Sequence, residues 1–183
     1  MLFTRKGDKG TTKIFACDQR ISKSSAIAVA LGTLDEINSH LGVLKVEAKE
    51  QDINVGELPM HEIIHSLQKD LFIVQAEIAG ADKHIQKEKV LWLEEHVNKI
   101  ESELPPIKTF FISGGTRLAS LSDVCRTVAR RAERTVIAVV DEGKTSVGED
   151  TLAYLNRLSS MLYALARYAN FKLGVNEESP DYM

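Results

Sequence analysis

Four polar side chains recur on one side of a predicted helix in the second half of the chain. They are Arg126, Arg130, Glu133 and Arg134. With about 100° of rotation per residue, they lie opposite an apolar stripe. That stripe consists of Leu121, Cys125, Val128, Ala132 and Val136. Guanidinium forks suit phosphate or carboxylate recognition, so the pattern favours an anion-binding face. A solvated face with i,i+4 ion pairs would give the same pattern.

The last predicted helix carries a second polar flank beside its leucine-rich core face. The flank consists of Asn156, Ser160, Tyr163 and Arg167. Two helices with such flanks can enclose a polar groove between them. The first predicted helix adds acidic and amide groups to an otherwise apolar pattern, namely Asp35, Glu36, Asn38 and Ser39. These groups are candidate partners for the arginines, within the subunit or across an interface.

The first 24 residues are polar and show no helical period. Their most distinctive run combines small, hydroxyl and cationic side chains: Thr4, Arg5, Lys6, Gly7, Asp8, Lys9, Gly10, Thr11 and Thr12. Such residues are suited to wrapping phosphates. The run is not a Walker loop, because it lacks the G-x-x-x-x-G-K-[ST] order and the flanking strand and helix. Taken alone, it fits a turn as well as an anion contact.

A literal H-E-x-x-H occurs at His61, Glu62 and His65. On a helix, this spacing can bind zinc beside a glutamate base. No G-x-x-H extension follows, and Leu71 stands where a third histidine would be. We therefore expect exposed helix histidines and predict no metal-ligating residues in the chain.

Composition and charge narrow the class of protein. The chain has 183 residues, 44% of them hydrophobic and 27% charged, as expected for one globular domain. No apolar run approaches the roughly 20 residues that span a bilayer. A net charge of -3 gives the whole molecule no electrostatic reason to bind nucleic acid or a membrane surface.

The N-terminus and the two cysteines predict a cytoplasmic address. The first residues lack both the apolar core of a secretory signal and the composition of a transit peptide. With only Cys17 and Cys125 in the chain, free thiols are expected rather than a structural disulfide.

Helical spacing of apolar residues predicts an all-α fold, a five-helix bundle with an ordered N-terminal arm. The helices are expected near residues 24–49, 64–78, 89–104, 118–140 and 149–173. Between the third and fourth, Pro105-Pro106 stops a helix, and an irregular or β-like stretch ends in a glycine turn at Gly114-Gly115. We expect a single domain over 1–183, with the arm at 1–24, the bundle at 25–175 and a tail at 176–183.

Six stretches, taken in order, carry a resemblance that covers nearly the whole chain. They are Thr4-x-x-Gly7-Asp8-x-Gly10-Thr11-Thr12, Lys23, Gly32-Thr33-Leu34-Asp35-Glu36, Gly114-Gly115, Arg126-Thr127-x-x-Arg130-Arg131-Ala132-Glu133-Arg134 and Tyr154-Leu155-Asn156-Arg157-Leu158-Ser159. Together they resemble the trimeric helical-bundle family of ATP:cob(I)alamin adenosyltransferases, the propanediol-utilisation type.

That resemblance implies an enzyme that transfers the 5′-deoxyadenosyl group of ATP to cob(I)alamin, with Mg²⁺. It implies a homotrimer with active sites at subunit interfaces, with a flavoprotein reductase and a cobalamin-dependent mutase as candidate partners. The implied ATP residues are Thr4, Arg5, Gly7, Asp8, Gly10, Thr11, Thr12, Lys23, Arg130, Glu133, Arg134 and Asn156.

The catalytic set implied by the same resemblance is Asp35, Phe110, Arg126 and Arg130. In it, Asp35 pairs with Arg126 across the interface, and Phe110 excludes the lower axial ligand of the corrinoid.

The chain departs from the family pattern at two positions. It has Ser113 before the glycine turn and Ser160 in the last helix, where relatives commonly have proline and aspartate. The second change removes a carboxylate from the corrinoid side. Two alternatives therefore stay open: an ATP- or corrinoid-binding sensor without transferase activity, and a helical module whose arginine stripe binds a protein or RNA.

Overall fold

Five helices dominate the described part of the chain. The computed structural model describes residues 2–14, 19–143 and 145–182. Its helices are α1 (Ala26–Gln51), α2 (Met60–Ile78), α3 (Lys87–Glu103), α4 (Arg117–Asp141) and α5 (Glu149–Lys172). The predicted five-helix bundle is confirmed. None of these helices has the length and apolar character needed to cross a bilayer.

The helices pack around one apolar core. α1 lies against both α2 and α4, and α5 lies against both α4 and α3. The predicted apolar stripes face inward, because leucine and β-branched residues recur every three or four positions. Fully buried members include Leu34 and Leu41 on α1, Leu67 and Leu71 on α2, Ala132 and Val136 on α4, and Leu158 and Leu162 on α5.

Local signals explain where the helices begin and end. α2 ends in a Schellman motif, in which the Gly80 amide donates to the Glu77 carbonyl and the Ala81 amide to the Ala76 carbonyl, both at 2.9 Å. Gly80 has a φ of 91°, which a residue with a side chain adopts only with strain. α4 starts at a threonine cap, where the Thr116 hydroxyl accepts from the Ala119 amide at 3.1 Å.

The N-terminal arm contains a short antiparallel strand pair that the sequence did not predict. Strand β1 (Thr11–Lys13) pairs with β2 (Arg20–Ser22). Arg20 joins the pair to the preceding turn, because its guanidinium donates to the Thr11 hydroxyl at 2.8 Å and to the Lys6 carbonyl. The described residues of the arm thus have a defined structure, as expected. A second pair, β3 (Asn54–Val55) and β4 (Leu58–Pro59), joins α1 to α2.

Cys125 is a core residue of α4. Burial raises the pKa of its thiol to about 12, so it is uncharged and unreactive in the folded protein. Cys17, the other cysteine, lies outside the described residues.

A buried carboxylate joins α2 to the start of α5. Glu77 is 2% exposed. It accepts hydrogen bonds from the Thr151 hydroxyl and from the Gly148 amide at 2.7 Å, and it lies 3.0 Å from His84 Nδ1. This contact helps to fix the position of α5 along its axis relative to α2.

We expect Glu77→Ala to lower the free energy of unfolding by about 2–3 kcal/mol, because buried donors lose their acceptor. Urea denaturation at constant m-value measures this. As a control, Glu94→Ala removes a part-exposed carboxylate paired with Arg157 and should cost no more than about 1 kcal/mol. Equal losses in the two variants would contradict the role assigned to Glu77.

The pKa of His84 is raised from its ordinary 6.5, chiefly by its hydrogen bond to Glu77, with a further contribution from Asp82. A raised folded-state pKa stabilises the protein below the unfolded value, and the contribution is lost as the pH rises through the folded value. We therefore expect wild type to exceed His84→Ala in thermal stability by the largest margin below pH 6.5. Melting curves of both proteins below and above this pH test the prediction. A difference in melting temperature that grows with pH would contradict it.

Candidate active site

A pocket of about 700 Å³ lies between α4, α5 and the irregular stretch that joins α3 to α4. We call that stretch, residues 105–116, the wall segment. Wall residues from Ile107 to Gly114 line the pocket together with Asp123, Arg126 and Arg130 of α4 and Ser159, Ser160, Tyr163, Ala166, Arg167 and Asn170 of α5; Glu177 completes the lining. The groove expected between the two polar flanks is present.

The cationic side of the pocket comes from α4. Arg126 donates to the Asp123 carboxylate at 3.0 Å, one helical turn earlier, and its guanidinium lies 5.8 Å from the centre of the Tyr163 ring. Arg130, one turn further along, is exposed. One arginine is therefore held in place, whereas the other is free to meet a ligand at the pocket edge.

The facing side, from α5, is polar but carries no carboxylate in this region. Ser160 is exposed in the pocket, and Tyr163 is half-buried beside it. Burial raises the pKa of the Tyr163 phenol, so this group stays neutral and can donate or accept a hydrogen bond. The region suits amide or hydroxyl groups of a ligand better than a cation.

The wall segment supplies an apolar surface. Phe110 is 79% exposed, and Ile107 and Ile112 are also exposed. Large apolar side chains that face a pocket together are typical of a site for an apolar or flat ligand. The pocket therefore combines cations on one side with an aromatic and aliphatic surface on another.

Asn170, near the end of α5, fixes the glycine turn of the wall segment. Its amide donates to the Gly114 carbonyl and its carbonyl oxygen accepts from the Thr116 amide, both at 2.9 Å. Gly115 has a φ of 99°, and an added Cβ would lie 2.5 Å from the Asn170 side chain. The turn therefore requires glycine for both conformation and space.

Arg167 fixes the rest of the wall segment. It is 5% exposed and donates to the Glu177 carboxylate at 2.9 Å and to the Pro105 carbonyl at 3.1 Å. Its guanidinium also lies 5.2 Å from the centre of the Phe111 ring. The buried cation thus holds the start of the segment and the residue next to Phe110.

Three further predicted residues lie outside the pocket lining: Glu133 and Arg134 on α4, and Asn156 on α5. Asn156 donates to Glu133 at 2.9 Å, which links α5 to α4. Arg134 donates to the carbonyl of Arg130 at 3.3 Å. The four polar residues predicted on α4 therefore do share one side of that helix.

The predicted arm residues form a separate cluster. The Gly10 amide donates to the Gly7 carbonyl at 3.1 Å, and the Lys23 amide donates to the Gly10 carbonyl at 2.9 Å. A Cβ on Gly7 would lie 3.1 Å from the Lys23 ammonium, so that cation lies directly over the turn. Thr12 and Lys23 line a second pocket of about 340 Å³ against α1. None of the described arm residues lines the pocket at Arg130.

The predicted pairing of Asp35 with Arg126 is not made within this chain. Arg126 pairs with Asp123 instead, and Asp35 is exposed on α1. The neighbouring Glu36 binds Arg131 of α4. A contact between Asp35 and Arg126 of another subunit stays a prediction.

Histidines of the H-E-x-x-H run do not converge on a metal site in the described residues. His61 Nε2 lies 3.4 Å from the Glu62 carboxylate, and His65 Nδ1 lies 3.5 Å from the Lys45 ammonium. Within ranges 2–14, 19–143 and 145–182, no three His, Cys, Asp or Glu side chains are grouped to hold a metal ion.

Sequence reasoning missed several residues that shape the site. Arg20 organises the arm, and Asn170 and Glu177 hold the wall segment. Arg167 was noticed only as part of a polar flank. Their partners are backbone groups or residues distant in sequence, so spacing alone gave no signal for them.

Comparisons with known proteins identify the family to which this chain is similar. The family model of cobalamin adenosyltransferases matches residues 2–169. The corrinoid adenosyltransferase of Bacillus subtilis is 34% identical over 180 residues, which cover 96% of this chain and 90% of the relative. The human corrinoid adenosyltransferase MMAB is 32% identical over 183 residues, covering 97% and 72% respectively.

A solved structure is similar to this chain in fold as well. A variant of the PduO-type ATP:corrinoid adenosyltransferase from Lactobacillus reuteri, in complex with cobalamin and ATP, is similar to this chain with a TM-score of 0.86 and 31% identity. The match covers 98% of this chain and 99% of that one. With sequence and fold matching over nearly its full length, this chain belongs to the cobalamin adenosyltransferase family.

Proposed function

We propose that this protein transfers the 5′-deoxyadenosyl group of ATP to cob(I)alamin, giving adenosylcobalamin and triphosphate. The observation that carries the proposal is the pocket between α4, α5 and the wall segment, which combines arginines with a large apolar surface. The similar Lactobacillus reuteri structure contains cobalamin and ATP, the two substrates that this reaction needs.

The reaction needs little from the protein beyond positioning and charge stabilisation. The electron pair on cobalt attacks the ribose C5′ carbon, a cobalt–carbon bond forms, and the C5′–O bond breaks with its electrons leaving on triphosphate. Because cob(I)alamin is itself the nucleophile, no side chain has to attack. Cationic groups that meet the leaving triphosphate lower the barrier.

Arg130 is the group we assign to the triphosphate. Its guanidinium is exposed at the pocket edge, whereas Arg126 is already held by Asp123. Glu133 and Arg134 follow Arg130 on α4, and Asn156 of α5 donates to Glu133. These residues would complete the nucleotide side of the site.

The N-terminal arm would supply the rest of the ATP site from a neighbouring subunit. Its turn places the Lys23 ammonium over Gly7 with Thr12 nearby, an arrangement suited to phosphate oxygens. The described arm residues do not line the pocket at Arg130 of their own chain. An interface that joins the arm of one subunit to α4 of another would bring the two parts of the ATP site together.

Exposed apolar side chains on α1 and α4 support such an interface. They are Val29, Val43 and Val46 on α1 and Val124 and Ile137 on α4. Val29, Val43 and Val46 lie within about 100° of one another around α1. Burying them against a second copy would be favourable. Asp35 lies on the same face of α1 as Val46, three turns earlier, so an interface there could bring Asp35 to a neighbour's Arg126. We therefore propose a homotrimer.

The corrinoid would lie against the wall segment. Phe110 would exclude the lower axial ligand there, and an apolar face with that ligand removed would make cobalt easier to reduce. Ser160 leaves this part of the pocket without the aspartate common in the family, so corrinoid amides would meet a hydroxyl there.

Mg²⁺ would accompany the triphosphate. The described residues contain no group of three or more His, Cys, Asp or Glu that could hold a metal ion. Phosphate oxygens and water are suitable Mg²⁺ ligands. We also propose a cytoplasmic enzyme, served by a flavoprotein reductase and delivering its product to a cobalamin-dependent mutase.

We expect wild type, incubated anaerobically with chemically reduced cobalamin and MgATP, to give the absorption spectrum of adenosylcobalamin. Arg130→Ala should lower the rate by about 100-fold or more, because one group that stabilises the leaving charge is lost. His65→Ala, which changes a residue on α2 outside both pockets, should react like wild type. A wild type that binds ATP but forms no adenosylcobalamin would favour the sensor alternative instead.

We expect Val43→Glu to dissociate the trimer and abolish activity together, because a charge enters the apolar patch on α1. Val43 is 51% exposed in the single chain, so the fold itself should tolerate the change. Leu91→Glu, on α3, changes an equally exposed apolar residue away from α1 and α4 and should leave both properties intact. Light scattering after size-exclusion chromatography measures the mass, and a trimeric Val43→Glu protein would contradict the assigned interface.

A further inference from the structure

The chain turns at Gly174 after the end of α5, and the described part of the C-terminal tail, residues 176–182, returns to the wall segment. A Schellman motif reverses the chain, with Gly174 at a φ of 71° and the Val175 amide donating to the Asn170 carbonyl at 2.9 Å. Beyond this turn, the Glu178 carbonyl accepts from the Ile112 amide at 2.8 Å. The tail therefore contacts the part of the wall segment that carries Phe110.

Glu177 makes the second contact between the tail and the pocket. Both of its carboxylate oxygens lie near Arg167 Nε, at 2.9 and 3.2 Å. The side chains are 5% exposed for Arg167 and 18% exposed for Glu177, so the pair is largely removed from water. Removing one member of such a pair leaves the other charge unpaired, which is costly in a buried setting.

Arg167 transmits the position of the tail to the wall segment. The same guanidinium donates to the Pro105 carbonyl and lies against the Phe111 ring. With Glu177 on one side of it, the cation has a single well-defined orientation. Without that carboxylate, the guanidinium would be free to turn towards the pocket, and the segment would lose its anchor at both Pro105 and Phe111.

The tail contributes little to the apolar core. Most of its residues are exposed, and Glu177 is one of the few that are partly buried. The family match ends at residue 169, before the tail begins. The contacts of the tail are therefore concentrated at the pocket wall, and its loss should leave the bundle folded.

We propose that Glu177 is a positioning residue for the corrinoid: through Arg167, it holds the wall segment where Phe110 and Ile112 can contact that substrate. This inference rests on the proposed function, since it assigns the corrinoid to this pocket. It concerns the corrinoid side alone, because none of the proposed ATP residues contacts Glu177 or the tail through the hydrogen bonds described above.

The kinetic test compares Glu177→Gln with Glu178→Gln. Both substitutions remove one negative charge from neighbouring tail positions, but Glu178 takes part through its backbone carbonyl, which the substitution keeps. We expect Glu177→Gln to raise KM for cob(I)alamin about tenfold, the factor expected when a charged hydrogen bond is replaced by a neutral one, with KM for ATP unchanged. Glu178→Gln should have wild-type values for both substrates. Equal KM values for cob(I)alamin in the two variants would overturn the proposal.

A second measurement on the ligand-free protein separates this inference from the proposed function. Hydrogen–deuterium exchange of the peptide covering residues 107–113 should be faster in Glu177→Gln than in Glu178→Gln, whereas peptides from the core of α4 should not differ. Equal exchange at 107–113 would overturn the positioning role even if wild type is an active transferase. If wild type forms no adenosylcobalamin, the proposed function fails, and faster exchange would still support the role of Glu177 in holding the wall.

Discussion

The wall segment has no regular structure of its own, so its position depends on two buried polar side chains near the end of α5. Asn170 satisfies backbone groups on both sides of the glycine turn, and Arg167 binds the Pro105 carbonyl where the segment begins. Polar groups that are buried without a partner are costly, and these hydrogen bonds give the buried groups their partners. The apolar side of the pocket therefore has a defined shape although no strand or helix builds it.

The shape of the pocket depends on how the bundle positions α4 and α5. The bundle core keeps α4 and α5 at a fixed separation, and the hydrogen bonds of Glu77 link the start of α5 to α2. The polar flanks of α4 and α5 then face each other without filling the space between them. Arg126 and Arg130 on α4 face the neutral Ser160 and Tyr163 on α5, whereas the charge of Arg167 on α5 is paired with Glu177. The exposed Arg130 suits a ligand pair in which only one member carries a large negative charge.

The helices and the groove could be predicted from sequence because both follow the helical period. The α4 stripe from Cys125 to Val136 is buried and Arg130 is exposed, as the spacing indicated. Arg20, Asn170 and Glu177 could not be found in this way, because they act on backbone groups or on residues far along the chain. The irregular stretch before α4 was expected, but its path was not, since tertiary contacts fix it. We propose that the pairing of Asp35 with Arg126 and the role of the arm involve neighbouring subunits, and periodicity within one chain says little about such contacts.

Anchoring of the wall segment uses backbone atoms and the Phe111 ring, whereas Phe110 and Ile112 present exposed side chains to the pocket. The groups that determine the path of the wall are thus separate from the side chains of Phe110 and Ile112. Evolution could exchange the side chains at these two positions without disturbing the hydrogen bonds that shape the loop. In such a scaffold, selectivity between related macrocycles can drift while the architecture stays the same.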